Sequence, residues 1–233
     1  MRKDSLVLLP GMMCDERLFQ PQMAHFCDQY NVISPPIHGT QTMPDLAAAV
    51  LDAAPPKFAL AGLSMGGIVA MEVMRQGGNR VTHLALMDTN PFAEIDSVKH
   101  NRNRLIKQVA DGHLVAVMRD EMKPNYLVTG PHKPAILDLC LEMALDLGPD
   151  AFTRQALALR DRPDYTAILE AVNCPVLVLC GAEDRLCPPE RHHAMAAMIA
   201  HAHLKIIDQA GHLPTLEQPK IVNAALGQLL EMK

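Results

Sequence analysis

Residues 60–67 read LAGLSMGG, one hydroxyl residue, Ser64, set among Gly62, Gly66 and Gly67 directly after an apolar run. Glycine costs backbone entropy and adds no packing, so a strand that only fills a core has no use for it here. Gly62, Ser64 and Gly66 fit G-x-S-x-G, a pattern that the abundance of glycine and serine makes weak by itself. Its setting makes it strong: the run KFALAGLS (57–64) enters as a buried strand and MGGIVAMEVMRQ (65–76) leaves as a helix. In that strand–turn–helix context a serine is held out on a strained turn. The residues two before and two after it must be small, Gly67 lets the helix approach the strand, and the helix N-terminus aims free N–H groups at the hydroxyl. The bland alternative is a glycine-lined turn with an incidental serine.

The same run belongs to a series. SLVLLPG (5–11), YNVISPPIHG (30–39), VTHLALMD (81–88), CPVLVLCG (174–181) and HLKIID (203–208) are mostly continuous in apolar residues, as expected of strands buried on both faces of a parallel sheet. Helical stretches at 43–53, 65–76, 190–200 and 218–231 lie between them. The alternation predicts an open α/β sheet with right-handed crossovers. It breaks once. From Pro91 to about Ala171 the chain offers helix-prone pieces (95–111, 112–122, 133–147, 149–160) punctuated by Pro124, Gly130-Pro131 and Gly148-Pro149. An insertion there overlies the carboxyl end of the sheet, where such folds bind ligands. We therefore expect a core of residues 1–90 and 172–233 with a helical cap, 91–171, after the fourth strand. Nearly half of the 233 residues are hydrophobic, enough for one such core.

A serine hydroxyl needs a base in reach, and the base needs an orienting acid. Of eleven histidines, His212 in DQAGHLPTLEQP follows the last strand and is the expected base. His192, His193, His201 and His203 read as surface, His100, His113 and His132 fall in the cap, His38 is a candidate for the pocket rim, and His25 and His83 have no chemical context. Asp184 in LCGAEDRLCP follows the fifth strand and is the expected acid. Asp88 in ALMDTNP ends the fourth strand and competes with it; if it is not the acid, it braces the turn at Thr89-Asn90-Pro91. Asp208 lies too near His212 in sequence. A developing oxyanion needs two N–H donors; Met65 supplies one from the helix start, and Met12, after the flexible Gly11, supplies the other.

The formal charge of −5 excludes the basic stripe of a nucleic-acid binder. No uninterrupted apolar run reaches the length of a membrane span. Six cysteines without a CxxC pair point to reduced thiols in a cytoplasmic protein rather than a zinc site, and neither metal nor cofactor is implied. The basic, then apolar, start MRKDSLVLLPGMMC mimics an export signal, but Asp4 and Pro10-Gly11 interrupt it. KHNRNRLIK (99–107) carries Lys99, Arg102, Arg104 and Lys107. It reads first as a solvated helix face and second as an attractor of an acidic substrate or an acyl carrier protein.

LLPGMMCDERLF, AGLSMGG, LVLCGAEDRLCPPE and AGHLPTLEQP, in that order and spacing, resemble the α/β-hydrolase superfamily nearly end to end. They are closest to small capped carboxylesterases and lactonases such as the pimeloyl-[acyl-carrier-protein] methyl ester esterase and 3-oxoadipate enol-lactonase groups. The resemblance implies Ser64 as nucleophile, Asp184 as acid, His212 as base and Met12 with Met65 as oxyanion donors. Two departures stand out: Pro10-Gly11 replaces the usual His-Gly, and the chain begins at the strand that usually follows an N-terminal hairpin. About six strands are therefore expected instead of eight. The implied activity is hydrolysis of a small-molecule ester, lactone or thioester through an acyl-enzyme. Acyl transfer, perhydrolysis, carbon–carbon bond hydrolysis and ligand reception on the same scaffold are the alternatives.

Overall fold

The computed structural model describes residues 3–232; Met1 and Arg2 of the basic start lie outside the described residues. In chain order the elements are β1 (Ser5–Leu9), α1 (Gln20–Phe26), β2 (Asn31–Ile33), α2 (Met43–Ala53), β3 (Phe58–Leu63), α3 (Met65–Gly77) and β4 (Val81–Met87). Then follow α4 (Asp96–Ala110), α5 (Leu114–Ala116), α6 (Lys133–Arg160), α7 (Thr166–Glu170), β5 (Val176–Gly181), α8 (Pro189–Met198), β6 (Ala202–Ile207), α9 (Pro214–Glu217) and α10 (Pro219–Leu230). The six strands form one sheet in the order β2-β1-β3-β4-β5-β6, and every neighbouring pair is parallel.

The continuous apolar runs have a direct cause. Successive strand residues face opposite sides of a sheet, and both sides here are covered. Val7, Leu9, Leu60, Leu84 and Val178 pack against Leu46 and Val50 of α2 and Val69 of α3. Leu6, Leu8, Ala61, Ala85 and Leu179 pack against Phe26 of α1 and Leu226 of α10. At one edge, β6 alternates between half-buried and exposed positions before the buried Ile207. The second predicted strand shrinks to three residues because Pro35 and Pro36 have no N–H to give the ladder. The helix α1 was not anticipated from the sequence.

Between β4 and β5 the chain is helical throughout its regular elements. The predicted pieces 133–147 and 149–160 are the two halves of α6, kinked at Gly148 (φ 77°) before Pro149. The predicted piece 112–122 is α5 extended through a π-helical stretch, Val117–Met122.

The glycines around Ser64 are required by contact. A Cβ on Gly62 would lie 2.3 Å from the Gly66 carbonyl oxygen, and one on Gly66 would lie 2.0 Å from that of Leu9. Gly62 is thus what lets α3 approach its own strand, whereas a Cβ on Gly67 would strike Thr89 Cγ2 at 2.6 Å. Gly66→Ala is expected to cost at least about 3 kcal/mol, since the clashing atoms are backbone, and to lower the thermal midpoint by roughly 6–12 °C. Gly227→Ala on α10, where no atom lies within 4 Å of the new Cβ, should instead be stabilising by up to about 1 kcal/mol. Thermal unfolding of both variants checks the contrast.

Candidate active site

Ser64 adopts φ 55° and ψ −115° between β3 and α3. Its N–H donates to Met87 O at 2.8 Å, and its carbonyl accepts from Gly67 N–H, Ile68 N–H and, at 2.7 Å, the Thr89 hydroxyl. These bonds tie the turn to β4 on one side and to the helix on the other.

The carboxyl ends of β3, β5 and β6 bring the predicted residues together. His212 Nε2 lies 2.9 Å from Ser64 Oγ and His212 Nδ1 lies 2.9 Å from Asp184 Oδ2. With the Nδ1 proton donated to the carboxylate, Nε2 is left to accept the serine proton. Asp184 Oδ1 accepts from the N–H groups of Leu186 and Cys187 at 2.8 and 3.0 Å. Burial raises the Asp184 pKa, but the neighbouring His212 and these hydrogen bonds outweigh it and hold the carboxyl below its usual range.

Asp88 stands outside this row. Its Oδ1 accepts from Gly181 N–H at 3.0 Å, so it braces the end of β5 and not, as the sequence had implied, its own Thr89–Pro91 turn. Burial first, and the charge of Asp184 second, push its pKa well above the carboxylate range. Its Oδ2 is buried without a hydrogen-bond partner among the described residues. Asp208 is exposed beyond β6.

The loop after β1 carries the other predicted donor. Met12 N–H and Met65 N–H are bonded to no acceptor among the described residues. Met13, at φ 56°, donates its N–H to Gln155 Oε1 at 2.9 Å, while Gln155 Nε2 bonds Ile37 O at 3.0 Å. A fully buried side chain on α6 therefore fixes the loop that presents Met12. The Met12 side chain lines the cavity, whereas those of Met13 and Met65 are packed into the core.

Glu217, at the end of α9, does the same for the histidine loop. Its Oε2 accepts from Gly211 and Leu213 N–H, and its Oε1 from Val128 N–H. His212 N–H itself donates to Tyr126 O at 2.6 Å. Gln155 and Glu217 were both missed in the sequence: the partners of Gln155 are distant backbone groups, and Glu217 joins two amides of its own loop to the distant Val128, with no motif to mark either role.

A cavity of about 640 Å³ opens on Ser64 and His212. Its wall includes Arg102, Arg162 and Glu94 from the helical segment. The basic stretch 99–107 divides: Lys107 pairs with Asp111 and Arg104 with Glu121, whereas Arg102 pairs with buried Glu94 at the cavity. The remaining histidines are elsewhere. His38 does not line the cavity. His192 is fully buried, not on the surface, where Nε2 accepts from Thr89 N–H at 3.1 Å; burial lowers its pKa to about 4, so it stays a neutral brace. Asp184, Cys187 and His212 offer ligand atoms within 4.8 Å of one another. Burial pushes the Cys187 thiol up to about 12 and the other two are bonded to each other, so the group suits a proton relay better than a cation.

A parallel sheet whose carboxyl edge aligns serine, histidine and carboxylate beside a cavity defines a hydrolase of α/β architecture. Residues 6–225 match the alpha/beta hydrolase family, and the chain belongs to that family. It is 22% identical to the pimeloyl-[acyl-carrier protein] methyl ester esterase of Legionella pneumophila (strain Corby), over 97% of this chain and 95% of that one. It is 27% identical to the 2-succinyl-6-hydroxy-2,4-cyclohexadiene-1-carboxylate synthase of Salmonella paratyphi A, over 98% of this chain and 94% of the relative. A malate-bound thermophilic esterase from Thermogutta terrifontis superposes with a TM-score of 0.88 at 30% identity, covering 98% of this chain and 90% of that one. No helix among the described residues is long and apolar enough to cross a membrane.

The buried Asp88 carboxyl makes a pH test. Its folded pKa is raised, so between the ordinary carboxylate value and that raised value the folded state holds a proton that the unfolded state has lost. Stability then falls as pH rises, by about 1.4 kcal/mol per pH unit for one proton. Asp88→Asn keeps the size of the side chain and an acceptor for Gly181 N–H, and removes the titration. Denaturant unfolding at pH 5 and pH 7 should show the variant gaining on wild type as pH rises; a pH-independent difference would mean that Asp88 is ionised in the fold.

Proposed function

We propose that this chain is a serine hydrolase that cleaves the carboxylic ester of a small substrate through an acyl-enzyme on Ser64. The observation that carries the reading is the row Ser64 Oγ–His212–Asp184, with both hydrogen bonds at 2.9 Å, opening on the cavity. His212 takes the serine proton as Oγ attacks the ester carbonyl, and Asp184 stabilises the imidazolium and fixes its tautomer. The Met12 and Met65 N–H groups receive the oxyanion of the tetrahedral intermediate. Collapse expels the alcohol, which takes the proton from His212. Water, activated by the same ring, then releases the acid and frees Ser64. The helical segment 91–171 is the cap that selects which carbonyl enters.

The relatives favour this reading at the level of bond type, since an esterase of known structure and a methyl ester esterase both align over most of the chain. The ester is that of a small molecule. Of the outer basic residues that an acyl carrier protein would engage, Arg104 and Lys107 are paired with Glu121 and Asp111, which leaves Lys99 alone without an ion pair among the described residues. Lactones and thioesters pass through the same intermediate. The likeness to a synthase keeps one other outcome open to experiment: a second nucleophile or a carbon–carbon bond served by the same serine and base, which product analysis with competing acceptors separates from hydrolysis.

Wild type should be labelled by a fluorophosphonate probe and turn over short p-nitrophenyl esters. Ser64→Ala should lose the label and at least about 10³-fold in kcat, and Asp184→Asn should lose about 10³–10⁴-fold with its fold retained. Unlabelled, inactive wild type across pH and acyl length would overturn the assignment.

A further inference from the structure

We propose that the cavity contains a second recognition site, for a carboxylate on the substrate, built by Arg102 and Arg162; as a statement of substrate class it rests on the ester-hydrolase reading above. Two guanidinium groups meet one internal anion here. Arg102 grips Glu94 through Nε and Nη2, and Arg162 reaches the same Glu94 through Nη1. The Glu94 and Arg162 side chains are only 3% and 7% exposed. A buried ion pair needs one cation per anion, and a surplus buried charge is costly unless a counter-charge arrives. One positive charge is therefore left over at the wall of a cavity that also contains Ser64.

The surplus is held in a fixed geometry. Arg162 Nε donates to Phe92 O at 2.9 Å and its Nη1 also reaches Leu159 O at 3.2 Å, which leaves Nη2 without a partner among the described residues. Arg102 Nη1 has only the Met12 sulfur, at 3.8 Å, and a thioether is a weak acceptor. These two nitrogens are the donors available to an incoming carboxylate, and a guanidinium is the group best shaped to bind one.

Position and charge agree. Arg102 Nη1 sits at the tip of the Met12 side chain, whose backbone N–H is the proposed oxyanion donor. The site therefore selects esters whose free carboxylate lies only a few carbons from the scissile carbonyl. The cavity lining carries Arg102, Arg162, Arg185 and Arg191 against Glu94 and Glu121, and Glu121 is already held by Arg104. That lining is cationic in a chain of formal charge −5. Arg185 and Arg191 are exposed and form no ion pair among the described residues, so they draw anions toward the mouth.

The test compares kcat/KM for the monomethyl esters of succinate, glutarate and adipate with that for methyl esters of chain-matched monocarboxylic acids. Wild type should favour the anionic series by at least about tenfold, mainly through KM. Arg102→Gln should lower the anionic-to-neutral ratio by roughly 10–100-fold, the value of a charge-assisted hydrogen bond. Glu94→Gln should move the ratio up, because it removes the competing anion. Equal wild-type rates on both series, or a fall of the ratio in both variants, would overturn the site and leave a purely structural cluster. Calorimetric binding of monomethyl glutarate to Ser64→Ala, weakened about tenfold by adding Arg102→Gln, tests the site without turnover. Binding of that kind in a protein whose wild type hydrolyses nothing would overturn the esterase reading and keep the carboxylate site; no binding and no anionic preference would overturn the site.

Discussion

Ser64 is held at φ 55° and ψ −115°, a backbone state that costs a non-glycine residue on the order of 1–3 kcal/mol and persists only where its surroundings over-determine it. Those surroundings are on both sides of the turn. Gly62 and Gly66 let α3 press against β3 and β1 at distances no Cβ tolerates, and the Thr89 hydroxyl and Met87 carbonyl hold the turn to β4. The two-sided core beneath the sheet supplies the stability that keeps the turn strained. Every functional distance is measured from this point, because it decides where Oγ stands.

Around the serine, each other part of the site is fixed by a hydrogen bond that comes from elsewhere in the chain. The base is placed by Asp184 on its ring, by Tyr126 on its N–H and by Glu217 on the amides to either side. The Met12 loop is placed by Gln155. Tyr126 and Gln155 both lie in the helical segment between β4 and β5, and Glu217 accepts from Val128 of the same segment. That segment therefore lines the cavity and also holds the loops that carry His212 and Met12.

The electrostatics follow one rule, that a buried ionisable group is faced by an opposite charge or by hydrogen-bonding partners that compensate it. His212 and two N–H groups hold the Asp184 carboxyl below its usual range, and burial with the charge of Asp184 pushes Asp88 beside it above that range. Glu217 is raised by burial, against three N–H donors that oppose the rise. The Glu94 cluster sets two arginines against one carboxylate, and it does so at the cavity wall.

The sequence by itself determined the parallel six-stranded sheet, the helical character of the segment after the fourth strand and the order Ser64, Asp184, His212. Each of these leaves a local trace: strands buried on both faces read as unbroken apolar runs, and a strained turn needs small residues at fixed offsets. Only the tertiary structure decided between Asp184 and Asp88, since both end strands and their roles differ by which one meets His212 and which one meets Gly181 N–H. It also decided that Arg102, and not Lys107 five residues along the same helix, faces the cavity, and that His192 is a buried brace. Gln155 bonds a backbone amide 142 positions away, and a contact of that kind depends on how the chain returns to itself rather than on any spacing within it.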